Sequence, residues 1–400
     1  MPRLATHNDC TGCMACYNAC PKQAIDIVED NEGFLQPQIN TRKCIDCKLC
    51  EKSCPILSPL ESRKSDKPKA YAAWHEEDRC VSSSGGAFSA FARKTIERGG
   101  VVFGAAFDEK LYLRHIEVMD VKGLAALRGS KYVQSEIRDT FRKVKGYLKE
   151  GREVFFCGTP CQVAGLYSYL SKRYDNLLTA DLACHGVPSN GVFQSYLKKL
   201  NNRLGIAEGG LRIDSFEFRR RDGWGLAPSI STAGNCRPLY GVDALYMEAF
   251  DKSAIFRNSC YNCPFAKTPR VGDVTLADFW GLGRHGKKFK HDVTKGVSLI
   301  LVNTEKGQKA LSALDKDTFV EERTLEEALI ENHNLKGSSS CHFNRNEIIE
   351  AFLDKQTSLE DIDRKFHLVD RSLKGQIKMW SLKLGLFERV KVFYNWYKAL

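Results

Sequence analysis

Cys10-Thr11-Gly12-Cys13-Met14-Ala15-Cys16-Tyr17-Asn18-Ala19-Cys20-Pro21 and Cys44-Ile45-Asp46-Cys47-Lys48-Leu49-Cys50-Glu51-Lys52-Ser53-Cys54-Pro55 write one grammar twice, C-x2-C-x2-C-x3-C-P. Three thiolates at two-residue gaps can wrap one 4Fe–4S cubane corner by corner. The fourth, thrown off by the proline turn, ligates the other cluster. One cluster is therefore expected on Cys10, Cys13, Cys16 and Cys54, and a second on Cys44, Cys47, Cys50 and Cys20. Zinc is the competing reading, although zinc sites usually show paired C-x2-C units rather than triplets with a trailing C-P. Between the two runs, Ala-Ile-Asp-Ile-Val and Gly-Phe-Leu-Gln-Pro-Gln-Ile flank Asp30, Asn31 and Glu32. Two short apolar runs around a polar turn predict a hairpin, so residues 1–56 read as a two-cluster ferredoxin-type domain. A domain this small has little core, and its clusters should also hold it together.

Outward from this segment, the 400 residues allow two to four structural units. The 16 cysteines cluster tightly and no apolar signal segment precedes them, which favours metal or redox chemistry in a reducing cytoplasm over disulfides. Apolar stretches are strand-sized, well short of the roughly 20 residues of a membrane span. The net charge is +11, which suits an acidic electron carrier or an anionic membrane. Nucleic acid is not expected, since zinc-finger spacing, an RNA-recognition signature and a helix-turn-helix pattern are all missing.

Residues 57–70 are polar and proline-punctuated and read as a linker. Val81-Ser82-Ser83-Ser84-Gly85-Gly86-Ala87 then opens a helix from Ala87 to about Arg98, closed by Gly99 and Gly100. Hydroxyls and free N–H groups at a helix start form an anion cradle suited to a dinucleotide pyrophosphate. An ordinary Ser cap with two packing glycines is the rival account. Arg128-Gly129-Ser130-Lys131-Tyr132 could add a phosphate contact and an aromatic face for a flavin, or be a solvated basic turn.

Residues 153–157 (Glu-Val-Phe-Phe-Cys) form a strand, Thr159 caps a helix with Pro160 in its first position, and residues 177–182 form the next strand. This βαβ unit predicts an α/β domain with a mainly parallel sheet. Cys161 and Cys184 then fall just past the C-terminal ends of two parallel strands, on the edge where open α/β sheets bind ligands. With Cys260 and Cys263 of Cys-Tyr-Asn-Cys they would complete a third cluster; a redox dithiol or zinc is the alternative. Cys157 is an alternative to Cys161. Cys80, Cys236 and Cys341 read as isolated buried thiols.

Taken together, these segments resemble the coenzyme F-420 hydrogenase/dehydrogenase beta-subunit family, in its bacterial form with an N-terminal 4Fe–4S ferredoxin domain. The resemblance covers about residues 10–352. It rests on Ser82-Ser83-Ser84-Gly85-Gly86, Arg128-Gly129-Ser130-Lys131-Tyr132-Val133-Gln134, Gly158-Thr159-Pro160-Cys161-Gln162, Asp181-Leu182-Ala183-Cys184-His185-Gly186, Cys260-Tyr261-Asn262-Cys263, and Gly272-Asp273 through Asp278-Phe279-Trp280-Gly281. The resemblance implies FAD beside a third 4Fe–4S cluster. Ser83, Ser84, Gly85, Gly86, Arg128, Ser130, Lys131 and Tyr132 would hold it. It implies electron exchange with a redox partner such as ferredoxin or a hydride-carrying coenzyme. Bacterial relatives with this domain order lie beside surface-polysaccharide genes, and plant relatives reduce a chlorophyll intermediate.

The expected organisation is an α+β ferredoxin-like domain over residues 1–56, the linker 57–70, a flavin-binding part over 71–150, the βαβ core with the third cysteine set over 151–310, and a helical C-terminal region over 311–400. Lys131 and His185 are the candidate catalytic side chains; His185 could donate a proton or tune a cluster, or be an ordinary packed histidine. Arg219, Arg220 and Trp224 could frame an anionic planar substrate, or form a basic surface turn. An electron-transfer subunit docking on a separate catalytic partner is the second function class; a zinc-binding structural protein is the third. Residues 371–400 carry seven basic side chains against Glu388. There Leu373, Ile377, Trp380, Leu384 and Phe387 recur at helical spacing, with Lys374, Lys378, Lys383 and Lys391 beside them and Phe393, Tyr394, Trp396 and Tyr397 following. A helix packed on the core is expected; the alternative is peripheral contact with the inner face of an anionic membrane.

Overall fold

A computed structural model describes residues 1–59, 67–206, 211–220, 227–384 and 386. The hairpin between the two cysteine runs forms as the sequence predicts. Strands β1 (Ile25–Glu29) and β2 (Leu35–Ile39) pair antiparallel. Asp30 closes the turn, its Oδ1 accepting from the N–H groups of Glu32 at 3.0 Å and Phe34 at 2.9 Å. Each cysteine triplet runs into a one-turn helix, Ala15–Ala19 and Leu49–Lys52.

The main body is built on one sheet. Its strands are β3 (Lys69–His75), β4 (Val101–Phe107), β5 (Leu113–Val118), β6 (Val154–Gly158) and β7 (Leu177–Leu182). A separate three-stranded antiparallel ribbon holds β8 (Ser215–Glu217), β9 (Ser229–Thr232) and β10 (Asn235–Pro238). The main sheet continues with β11 (Val274–Asp278), β12 (Ser298–Val302) and β13 (Thr318–Arg323), in the order β13-β3-β12-β11-β7-β6-β4-β5. The four central strands β4, β6, β7 and β11 run parallel, and the strands flanking them pair antiparallel. The fold is therefore mixed α/β. Half of the expected linker, residues 60–66, falls outside the described residues, and its last two positions already belong to β3.

The strand pattern explains the layering. Alternate residues of β4 and β6 point to opposite faces. Val102 and Phe155 meet Phe91 of the Ala87–Glu97 helix; Val101, Phe103, Val154 and Phe156 meet Val163 and Leu166 of the Pro160–Leu170 helix. Both faces are covered, as parallel strands require. A further apolar cluster joins the Asn190–Arg203 helix to the Arg345–Leu353 and Leu359–Phe366 helices.

The cysteine hairpin is docked tightly on this body. A Cβ on Gly33 would lie 2.7 Å from Gly191 Cα, so the hairpin turn meets the start of the Asn190–Arg203 helix backbone to backbone. Buried Arg345 donates to Glu32 Oε2 at 2.6 Å.

The C-terminal helix forms over Leu373–Lys383, but its expected apolar stripe faces outward. Leu373 is 76% exposed, Trp380 60% and Leu384 53%. What this helix sets against the body is its small and flexible residues, with Met379 beside Gly241 and buried Gly375 against Asp370. The packed-stripe expectation is corrected accordingly; Phe387, Lys391, Phe393, Tyr394, Trp396 and Tyr397 lie outside the described residues. Among the described residues, no helix is long and apolar enough to cross a membrane.

Candidate iron–sulfur relay

The two cysteine runs fold into matched loops. Gly12 and Asp46, each just before the second cysteine of its triplet, adopt positive φ of 67° and 51°; Met14 and Lys48, each just after it, adopt 58° and 57°. Residues in this conformation turn successive N–H groups toward one centre, an arrangement that favours an anion. Cys10, Cys13, Cys16 and Cys54 line one cavity. Cys20, Cys44, Cys47 and Cys50 line a second. In each, three thiols come from one run and the fourth from the other. N–H groups aim at the sulfurs: Ala24 at Cys20 (3.2 Å) and Asp46 at Cys44 (3.5 Å). Burial pushes the Cys13 thiol up to about 12, and it is the dominant influence raising Cys16, Cys50 and Cys54. Such thiols give up their protons to a cation, as cluster or metal ligands do.

A third group gathers at the C-terminal edge of the parallel strands. Cys161 starts the helix after β6, Cys184 follows β7, and Cys260 and Cys263 sit in and after the turn Asn258–Asn262. Each of these thiols lies within the electrostatic reach of others in the group. Burial raises Cys161 to about 11 and Cys260 to about 12, and lifts Cys184 and Cys263 as well. Thr159 Oγ1 meets Cys161 Sγ at 3.1 Å, while the Thr159 N–H is capped by Gln162 Oε1 at 3.0 Å. Among the described residues, no three His, Cys, Asp or Glu side chains converge as ligands of a single ion would. The cysteines of the first two groups ring cavities, the arrangement expected of ligands to a polynuclear cluster. Cys157 stays buried in β6 beside Asp181, apart from the third group.

Buried arginines frame these sites, and sequence reading missed them. Arg257, 1% exposed, donates to Cys10 O at 2.6 Å, to Leu35 O at 3.1 Å and to Gln134 Oε1 at 3.0 Å. Ser259 Oγ donates to the same Cys10 carbonyl at 3.1 Å. The segment that carries Cys260 therefore grips the loop that carries Cys10. Gly165 closes the junction from the other side: a Cβ there would stand 2.9 Å from Cys13 Sγ. Arg270 bonds Asp181, Phe265 O and Leu182 O, tying the segment after Cys263 to the end of β7 before Cys184. The available signal was a lone arginine ending the apolar run 254–256 three residues before a Cys-x2-Cys.

The residues expected around a flavin converge on the same sheet edge. Ser83 Oγ accepts from Ser130 N at 2.8 Å. Arg128 donates to Ser89 at 3.1 Å and to Asp78 at 2.6 Å. Yet several of their polar groups are already engaged. Ser84 Oγ donates to Val297 O, and Lys131 Nζ donates to the carbonyls of Leu127, Arg128 and Gly129. Gly85 is small because a Cβ would lie 2.3 Å from Ala73 O, and Gly86 holds φ +83° against the Asp78–Arg79 backbone. Both glycines thus answer packing. The side chains of Ser84, Arg128 and Lys131 are engaged within the protein, while Ser83 Oγ accepts and keeps its own O–H to donate. The Tyr132 ring packs against Phe250, centroids 4.4 Å apart.

His185 keeps accessible surface in a recess beside Phe250, and desolvation lowers its pKa against the pull of Asp278. Arg219 is buried, donates to Asp278 at 2.5 Å and lies over Trp280; Arg220 turns away to Tyr240. Trp224 lies outside the described residues. Cys80, Cys236 and Cys341 are exposed, which corrects the expectation of buried thiols.

Residues 151–328 match the family described as the C terminus of the coenzyme F420 hydrogenase/dehydrogenase beta subunit, and residues 9–56 match the 4Fe-4S dicluster domain. Over 66 residues the chain is 32% identical to an uncharacterized polyferredoxin-like protein of Methanocaldococcus jannaschii, covering 14% of this chain and 39% of that protein. The match thus spans well under two thirds of that relative. A chain in a solved structure of the F420-reducing NiFe hydrogenase complex from Methanosarcina barkeri aligns at TM-score 0.43 and 17% identity, over 76% of this chain and 94% of that one. The chain carries the C-terminal domain of the coenzyme F420 hydrogenase/dehydrogenase beta-subunit family over residues 151–328, together with a 4Fe–4S dicluster domain over residues 9–56.

Proposed function

We propose that this chain is an electron-transferring iron–sulfur oxidoreductase in which two ferredoxin-type clusters communicate with a third, held by Cys161, Cys184, Cys260 and Cys263, at the edge of the sheet. When bound, 4Fe–4S clusters take up and release single electrons. The chain's own part is to hold the ligand loops at fixed separation and exclude water between them. The observation that carries the reading is the junction at Cys10 and Cys13. Arg257 and Ser259 hold Cys10 from the third group's own segment, and Gly165, four residues after Cys161, lies against Cys13. Buried, doubly held backbone of this kind keeps the two sites in one rigid frame. Anaerobic reduction followed by electron paramagnetic resonance tests it. Three interacting centres are expected; signals from two centres alone would leave the dicluster domain with nothing to relay to.

The electrons are handed on at the Cys184–His185 edge, to a docked catalytic partner or a hydride carrier. FAD beside the third site is the second reading. Its support is that Ser83 and Ser130, far apart in sequence, are brought into contact. One flavin released per chain by acid from anaerobically purified protein would establish it. Peripheral membrane contact is supported by the exposed Leu373, Ile377 and Trp380 among the basic residues of the C-terminal segment.

A further inference from the structure

The two dicluster cavities differ in what surrounds them. Cys13 of the first is buried against the Pro160–Leu170 helix, whereas Cys47 of the second is exposed. The rim of that second cavity is basic. Lys22 and Lys48 line it, Lys43 precedes Cys44, Arg42 lies one residue further back, and Lys52 follows Cys50 on the Leu49–Lys52 helix. All five are exposed, and none has an ion-pair partner among the described residues. The three nearby acids are fewer than the five cations, and each has another partner. Asp26 accepts from Asn40 Nδ2 at 3.3 Å. Asp46 lies 3.5 Å from the Met1 amino group, and Glu51 accepts from the Arg3 N–H at 2.5 Å. Within this ring Ile45 is 58% exposed and Leu49 40%. An apolar centre inside a ring of one charge is how a transient docking surface combines steering with a dry contact.

We infer that this rim is the docking surface for an acidic one-electron carrier protein, which exchanges electrons with the chain through the cavity of Cys20, Cys44, Cys47 and Cys50. The inference rests on the relay reading and adds the side from which it is loaded. Unpaired lysines around a solvent-facing site raise the local concentration of an acidic partner and fix its approach. Mobile, unpaired lysines also tolerate several orientations, which suits a brief encounter.

Stopped-flow transfer from a reduced acidic ferredoxin to the full-length, cluster-loaded chain tests it. The wild type should transfer fast at low salt and slow steeply as salt rises. Lys43→Glu with Lys52→Glu should transfer about tenfold or more slowly, with a flattened salt dependence. Lys43→Gln with Lys52→Gln should lie between. Iron content and visible spectrum certify that each variant is loaded. Reduction by the methyl viologen radical cation should be unchanged or faster in the Glu variant. An unchanged rate and salt slope with ferredoxin overturns the docking surface while the dye result leaves the relay standing. Loss of sedimentation with anionic vesicles in place of slowed transfer would make the rim a membrane contact and overturn it as well. A wild type that neither ferredoxin nor dye reduces overturns the relay and the surface together.

Discussion

At the scale of single residues, the groups that matter most are buried and charged or polar, and each yields a measurable cost. Arg257, in the segment that carries Cys260, donates to the Cys10 and Leu35 carbonyls of the dicluster domain and to the Gln134 side-chain oxygen. Arg257→Met leaves those buried acceptors unsatisfied and should cost about 3 kcal/mol in chemical denaturation. It should also slow electron exchange between the dicluster domain and the third site. An effect on stability with no change in that exchange would make Arg257 structural alone. His115 carries a pH prediction. It donates or accepts at Ser135 Oγ (2.7 Å) and Cys157 O (3.0 Å), and burial pushes its pKa down to about 4 from 6.5. The unfolded chain therefore binds a proton, between those two values, that the folded chain refuses. Stability should fall as pH drops from about 6.5 to about 4, by roughly 3 kcal/mol, and this contribution should level off below. Urea midpoints across that range should slope less for His115→Gln than for the wild type; parallel slopes would remove His115 as the cause.

At the scale of elements, what could be read from the sequence was what covalent spacing and local periodicity dictate. The cysteine triplets, the hairpin, the Ala87–Glu97 helix and the β6–helix–β7 unit all form where short-range patterns place them. The contacts that assemble these elements were not legible. Arg257 meets Cys10 across 247 positions, and Gly33 meets Gly191, neither of which any local pattern encodes. The Ser-Gly helix start carries a packing demand that the sequence alone did not reveal. Its glycines are required by β3 and by the Asp78 turn, whatever the helix start binds. The Pro160–Leu170 helix supplies an element-level prediction. Gly165→Val places methyls where Cys13 Sγ stands, so about four of the irons, those of the first cavity, should be lost while the other sites stay loaded. Full iron content with an unchanged spectrum would show that the helix can yield. For the C-terminal helix, the apolar stripe predicted to face the core stands in solvent. Truncation after Asp370 should therefore leave the melting temperature within a few degrees and abolish sedimentation with anionic liposomes. A large loss of stability, with no liposome binding by the intact chain, would restore the packed account.

At the scale of the whole molecule, the architecture is a small cysteine-rich hairpin clamped on the face and edge of a doubly covered sheet. The sheet supplies the rigid edge on which Cys161 and Cys184 emerge from neighbouring parallel strands, and the Arg270–Asp181 pair fixes the segment carrying Cys263 to that edge. The clamp then brings the first cavity against the third group and turns the second toward solvent. The relay proposed above follows from that order: an exposed site, a buried one and a third at the sheet edge. The measurement that tests this most directly is the native mass of the anaerobically purified chain, with iron and acid-labile sulfide counted on the same sample. The account predicts about twelve irons and as many sulfides per chain, three Cys-ligated cubanes, and about four fewer of each in Cys161→Ser or Cys263→Ser. About eight irons in the wild type, or zinc in place of iron at the third group, would contradict it.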